Sequence, residues 1–472
     1  MTGPKRAGRS PRAAPSEKSP GHGHSSAGQS RDTICAVATP PGTGGLAVVR
    51  VSGNGTFSIL DRFFAERKPS RQRPNTVRLN WFVSHTRQPL DHVLVTVFRS
   101  PRSYTGEDMV EVSCHGGTVA ADAVMNLLVR SGCRVAEPGE FTRRAVLAGK
   151  MTLSQAEAVA DMTEARTEAA FRGALGRYRG ELSLLVADLT GELKDLLTEL
   201  EFRLGFDEQD DCCTAPRTRI RRIEKRLAKV VESAAGGRFL IEGANIAIIG
   251  RPNAGKSSLF NLLVEGERAI TSPYAGTTRD RVDATIVLAG VPIRFVDTAG
   301  LTGRGGARLN RLAVAQTNKA VEQADVIIAL FDGSRPAGPS DHAVLATCGS
   351  RPTICALNKT DLPRRFEDSH ALPGSTRLTP ISCRTGAGIA SLRTRITRAL
   401  RTGPGPRLAV NRRQLETLSA CRDALARAGS ARTLETAALE TRSAIDMLSQ
   451  VDAPVTSTDI LDRVFARFCV GK

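Results

Sequence analysis

Gly250-Arg-Pro-Asn-Ala-Gly255-Lys256-Ser257 directly follows an apolar run over 245–249, and the chain later spells Asp297-Thr-Ala-Gly300 and Asn358-Lys-Thr-Asp361. A glycine-bearing strand-to-helix turn of the first kind lets backbone N–H groups curl around phosphate oxygens, with Lys256 reaching the β- and γ-phosphates and Ser257 offering its hydroxyl to Mg²⁺. Alone, that turn implies only a phosphate binder. The third motif is sharper: the Asp361 carboxylate can accept hydrogen bonds from guanine N1–H and the exocyclic amine, a pattern adenine does not offer. In this order the three motifs predict a GTP pocket built from Asn253, Ala254, Gly255, Lys256, Ser257, Ser258, Asp297, Gly300, Asn358, Lys359 and Asp361. They also demand strands whose carboxyl ends share one edge, the doubly wound α/β arrangement.

That block fills only part of 472 residues, a length suited to roughly three domains. Hydrophobic residues at 41% and charged residues at 24% describe a globular protein rather than a disordered one. No apolar run has the length of a membrane span and the N-terminus lacks the apolar stretch of a secretory signal, so a cytoplasmic protein without a membrane partner is expected. Ten cysteines without paired metal-ligand spacing fit a reduced compartment and buried thiols. A net charge of +18 makes a polyanion such as RNA a plausible partner, although part of the excess sits in residues 1–31, a Ser/Pro/Gly/Arg-rich tail expected to be disordered.

Residues 32–150 alternate short apolar strands (47–51, 93–98, 109–112) with turns and one helical stretch at 118–129, an α+β domain. From 151 to 243 the pattern is helical, with Leu182, Leu185, Val186, Leu189, Leu193, Leu196, Leu197 and Leu200 on one face. A second helical region, 401–472, carries Leu418, Cys421, Leu425 and Ala428 in register. The economical reading is a helical bundle interrupted by a P-loop G domain at 244–400, with strands near 245–249, 283–289, 293–296, 326–331 and 353–357. Ile381-Ser382-Cys383 is expected to end the last strand and place Ser382 against the guanine.

Segments outside the G domain carry a resemblance. Asp32 to Gly45 leading into Val49-Arg50-Val51-Ser52-Gly53, then Ser103-Tyr-Thr-Gly-Glu-Asp108, His115-Gly-Gly117, Pro138-Gly-Glu-Phe-Thr142 and Gln155-Ala-Glu-Ala-Val-Ala-Asp161 resemble the MnmE (TrmE) family, as does the terminal Phe468-Cys469-Val470-Gly471-Lys472. The resemblance implies a tRNA-modifying GTPase that is a homodimer through its N-terminal domain. It also implies an MnmG-type FAD protein as partner and a tetrahydrofolate derivative as donor of the one-carbon unit placed on carbon 5 of the wobble uridine. Arg50 and Lys150 match basic positions near the folate in that family, and Cys469 matches its terminal thiol, which acts in chemistry or merely packs. His115 beside two glycines could serve as a base, but the reading preferred is a turn histidine held by backbone. A reading from another class stays open: a GTP-switched RNA-binding or ribosome-assembly factor that does no chemistry on a base.

Hydrolysis needs an in-line water, Mg²⁺ across the β- and γ-phosphates and positive charge where negative charge develops. Thr277 and Thr278, in Gly276-Thr-Thr-Arg-Asp280 between the phosphate loop and Asp297, fit a switch that orders on the γ-phosphate, with Thr278 and Ser257 on Mg²⁺. No arginine finger is evident. The resemblance implies that K⁺ supplies the charge, held by Asn253 and by carbonyls from Ser272 to Gly276. There is one departure: the family's water-orienting Glu falls here near Asn310, and 301–321 contains no acidic residue. An amide can orient water but cannot take its proton, so hydrolysis slower than the family norm is expected.

Overall fold

The computed structural model describes residues 32–205, 214–265, 285–296, 318–367, 377–400, 408–452, 465, 468 and 471. By spatial contact the chain divides into two units, 1–103 with 107–135, and 104–106 with 136–472.

The first unit is built on a six-stranded sheet. Strands β1 (Thr33–Val37), β2 (Leu46–Ser52), β3 (Thr76–Val83), β4 (Pro89–Phe98), β5 (Met109–His115) and β6 (Cys133–Val135) lie in the order β3-β4-β5-β2-β1-β6. All neighbours are antiparallel except β1 and β6. Alternation along β2, β4 and β5 sends Val49, Val51, Val93, Val95, Val97, Val110 and Val112 to one face, where they are at most 1% exposed. There they meet Ala121, Val124 and Leu128 of α2, which runs from Thr118 to Arg130. Three strands and a helix escape the sequence pattern, among them β6, which is only three residues long. In β1 Thr33, Ile34, Cys35 and Ala36 are all buried, so no alternation exists to read. In β3 Val77, Leu79 and Trp81 are the exposed ones, the reverse of the usual polarity. The extra helix, at Thr56–Leu60, is only five residues long, too short to show a helical period.

The second unit opens with α3 (Glu140–Leu147), α4 (Leu153–Glu164), α5 (Glu168–Tyr178), α6 (Glu181–Gly205) and α7 (Thr214–Glu242). A capping box between Thr152 and Gln155 starts α4. The nucleotide block follows: β7 (Ala244–Gly250), α8 (Lys256–Glu265), β8 (Thr285–Leu288), β9 (Val291–Val296), β10 (Val326–Asp332), α9 (Pro339–Cys348), β11 (Thr353–Asn358), β12 (Thr379–Pro380) and α10 (Ile389–Ala399). Helices α11 (Arg412–Ser430) and α12 (Leu434–Asp452) follow the nucleotide block.

The expected leucine face of α6 is a true core stripe. Leu182, Leu189, Leu193, Leu196 and Leu200 are fully buried with Ile220, Ile223 and Leu227 of α7, Leu418, Cys421 and Leu425 of α11, and Ala444, Leu448 and Val451 of α12. Helices on both sides of the nucleotide block therefore share one core, and the α/β block is an insertion into a helical bundle. Its sheet has the order β12-β11-β10-β7-β9-β8, parallel except for edge strand β8. Alternate residues of β7 and β10 enter cores on opposite faces, Ile246, Ile248, Ile328 and Leu330 on one and Ala247, Ile249, Ile327, Ala329 and Phe331 on the other. This two-sided burial explains their unbroken apolar sequences.

A candidate guanine-nucleotide site and its family

The parallel strands β7, β9, β10 and β11 end at a common edge, and the loops that leave them carry the polar groups. Between β7 and α8 the chain turns through Asn253 at φ 65° and Gly255 at φ 101°. A Cβ at Gly255 would stand 2.2 Å from the Asn358 amide nitrogen, so both backbone sign and space require glycine. Lys256 opens α8 and donates from Nζ to the carbonyls of Gly250 and Arg251, each at 3.0 Å. Burial lowers its pKa, and an incoming phosphate would favour the charged form again. Ser257 and Ser258 stand exposed at the start of the same helix.

Asn358, at the end of β11, is 1% exposed. Its amide donates to the Ala254 carbonyl at 2.8 Å and its carbonyl accepts from the Cys383 N–H at 3.0 Å. One side chain thus ties the phosphate loop to the loop after β12. Asp361 accepts from the Ser382 hydroxyl at 2.7 Å and faces Arg384 Nε at 3.2 Å. The Ser382 hydrogen bond, more than any charge, holds the Asp361 carboxyl below its usual range, so it stays an acceptor. Ser382 also receives the Thr385 N–H on its hydroxyl at 3.2 Å, which fixes the loop. The strand ends at Pro380, three residues before the expected Cys383, because from Ser382 the backbone pairs with Ala387 and Gly386 of its own turn.

Two acidic residues that no motif flagged complete this edge. Asp332 ends β10 and holds Lys359 Nζ at 2.6 Å and the Ser334 hydroxyl at 2.6 Å. Burial pushes its pKa up, but those bonds outweigh it and hold the group ionised. Asp341, 1% exposed, accepts Arg251 at 2.9 Å and so anchors the phosphate loop to α9. The available signal was an acid at a strand's carboxyl end followed by Gly333-Ser334, too common a pattern to single out. Thr277, Thr278, Asp297, Gly300, Ser272, Gly276, Asn310 and Cys469 lie outside the described residues.

In the first unit Arg50 on β2 stands opposite Glu111 on β5 and bonds its carboxylate at 2.9 Å. His115 ends β5, with both its backbone N–H and its ring Nδ1 against the Asp91 carboxylate. In the second unit Lys150 is exposed just past α3, its N–H closing the turn on Ala145 at 2.8 Å.

Two family models match the chain: the GTP-binding protein TrmE N-terminus over residues 33–150 and the MnmE helical domain over residues 153–469. A tRNA modification GTPase MnmE from Moorella thermoacetica is 37% identical, covering 93% of this chain and 99% of its own. One from Lactiplantibacillus plantarum is 34% identical over 93% and 98%, and one from Akkermansia muciniphila 37% over 93% and 99%. The chain belongs to the MnmE family of tRNA modification GTPases.

The structure gives two of the family-like segments a physical reason. In Gln155 to Asp161 each polar side chain reaches another element: Gln155 donates to the Tyr178 carbonyl, Glu157 takes Arg413 through both oxygens at 2.9 Å, and Asp161 pairs with the buried Arg177. Near the carboxyl terminus Phe465 and Phe468 pack with Val146, Leu153 and Ala156 against Gly139, at φ 69°, where a Cβ would come within 2.9 Å of Phe468. Among the described residues no helix is long and apolar enough to cross a membrane.

Proposed function

We propose that this protein binds and hydrolyses GTP, and that the cycle drives modification of tRNA at carbon 5 of the wobble uridine. The observation that carries the nucleotide half is the tie made by Asn358 between the phosphate loop and the loop presenting Ser382 beside Asp361. It couples the place for phosphates to the place for a guanine edge. The rest of the reading draws on membership of the family: an MnmG-type flavoprotein as partner, a tetrahydrofolate one-carbon unit bound near Arg50 and Lys150, and a homodimer formed through the N-terminal domain of residues 32–150. The exposed Val77, Leu79, Trp81 and Leu94 on one sheet face favour a second copy as the cover for that surface. The decisive test of the modification is nucleoside analysis of tRNA from cells lacking the protein. Loss of the wobble modification is expected, and an unchanged nucleoside profile would favour the RNA-binding factor instead.

In the nucleotide site Lys256 would hold the β- and γ-phosphates, with Asp361 and Ser382 orienting guanine. Ser257 would hold Mg²⁺ together with Thr278 and Asp297, and Asn253 would hold K⁺ with carbonyls of 272–276. Asn253 and Ser257 are exposed at the loop and, among the described residues, engaged in no side-chain hydrogen bond, and their oxygens suit hard cations. Held there, the two cations would supply positive charge against the negative charge that develops on the phosphates during cleavage. Removing one preorganised charge-stabilising group costs about 100- to 1,000-fold in rate, and because Na⁺ would replace only part of that effect, hydrolysis in K⁺ should exceed that in Na⁺ by at least about tenfold. Equal rates in the two salts would remove K⁺ from the account.

Asn310 makes the proposal specific to this chain. If its amide only orients water, Asn310→Glu should raise single-turnover hydrolysis by about tenfold or more, because a carboxylate adds proton acceptance. GTP affinity should stay as it was. A variant no faster than wild type would place the water-handling group elsewhere.

A further inference from the structure

Helix α7 carries six Arg and two Lys against three Glu, and its cations fall into two classes. Arg219 and Arg226 face α6, where Arg219 meets Glu199 at 3.2 Å and Arg226 meets Glu192 at 2.5 Å and also Asp188. Arg238 pairs with Asp325 at 2.8 Å and Arg217 donates to the Ala431 carbonyl at 3.1 Å. The other four, Arg221, Arg222, Lys225 and Lys229, are exposed, and among the described residues none makes an ion pair or a side-chain hydrogen bond. At about 100° per residue they fall within an arc of about 100°, on the side opposite the buried Ile220, Ile223, Leu227 and Ala234. The stripe is about 12 Å long at 1.5 Å per residue. Glu232 bounds it at one end.

A solvated helix face ordinarily mixes signs, which lowers self-repulsion and supplies i,i+4 pairs. Here the acids of α6 that reach α7, namely Asp188, Glu192, Asp195 and Glu199, are taken by the inward pair of arginines. The outward four repel one another; Glu224 and Glu232 flank them along the helix, but among the described residues neither forms an ion pair with them. Such a surface is relieved by a polyanion, whose condensed counterions are released on binding. We infer that the Arg221, Arg222, Lys225 and Lys229 face of α7 is a docking surface for the phosphate backbone of tRNA. The inference rests on the tRNA reading above and adds where on the helical domain the RNA lies. Contacts of this kind position the RNA without reading its sequence, so base selection falls to other parts of the assembly.

The test is filter binding of tRNA to the full chain across a KCl series, comparing wild type with the R221A/R222A/K225A/K229A variant. Alanine is the best helix former and the four side chains leave the core, so basal GTP hydrolysis and the thermal melt should be unchanged. Affinity should fall by at least about tenfold, and the slope of log affinity against log salt should become shallower by about 3, near 0.7–0.9 per lost phosphate contact. The control R422A/R427A removes cations that already hold Asp423 and Glu440, and should weaken binding by less than about twofold. Equal losses in the two variants, or none in either, overturn the docking surface while leaving tRNA binding intact. Absence of tRNA binding by wild type overturns both the surface and the reading beneath it. Loss of binding only to phosphatidylglycerol vesicles would transfer the face to a lipid and also overturn it.

Discussion

Asp361→Asn is expected to lower GTP affinity by about 100- to 1,000-fold and to let xanthosine triphosphate bind in its place. In the proposed site the carboxylate would accept from two guanine donors, and the Ser382 hydroxyl holds its pKa below the usual carboxylate range. Its folded pKa is depressed, so the acceptor is present at neutral pH and is lost only on acidification through that lowered value. An amide keeps the size, and its oxygen can still accept from Ser382. Its NH₂, however, is aimed where guanine presents N–H groups, so two donors meet and both lose water without gaining a partner. Xanthine has a carbonyl where guanine has its amine, which restores the match. The pair with Arg384 does not alter this, because the Arg384 side chain is 77% exposed and such pairs contribute little. Competition titrations of the variant with the two triphosphates measure the exchange. Retained GTP affinity would mean that the base is held elsewhere.

That prediction was legible in the sequence because Asn358, Lys359 and Asp361 are adjacent and their spacing is fixed by one turn. The same holds for the phosphate loop and for the leucine face of α6, where chemistry or burial repeats over a few residues. Pairings that the chain closes over long distances left no such trace. Arg251 with Asp341 and Lys359 with Asp332 are set by strand order, which composition and local spacing do not encode. Asn358 also shows the limit of motif reading. Its motif places it in the pocket without saying how it acts there, and the structure commits its amide and carbonyl to joining two loops. In the first unit the failures came from polarity: β1 buried on every side and β3 with its apolar residues outward defeat a rule that equates alternation with a covered face.

The long-range pairing with the largest consequence is the polar clasp that joins α4 and α5 to α11. Arg177 is 1% exposed, and Asp161 is the acid opposite it. Its other partner among the described residues, the Gln414 side-chain carbonyl, is 3.5 Å away, the outer limit of a hydrogen bond, and its Nε is buried without one. Asp161→Ala should therefore strand a guanidinium in the interior and cost about 3–5 kcal/mol, the range for removing one member of a buried pair. Replacing both groups, D161L with R177M, should recover most of that loss, since an apolar pair pays no desolvation of charge. Glu157 follows the same logic, with Arg413 and Gln414 on its two oxygens across 256 residues of sequence. The nucleotide block has its own cores on the two faces of its sheet. GTP affinity should therefore hold in D161A while the urea transition of the helical domain moves to lower concentration. A single variant as stable as wild type would mean that Arg177 finds another acid, and a double variant no better than D161A would mean that packing rather than charge makes the site.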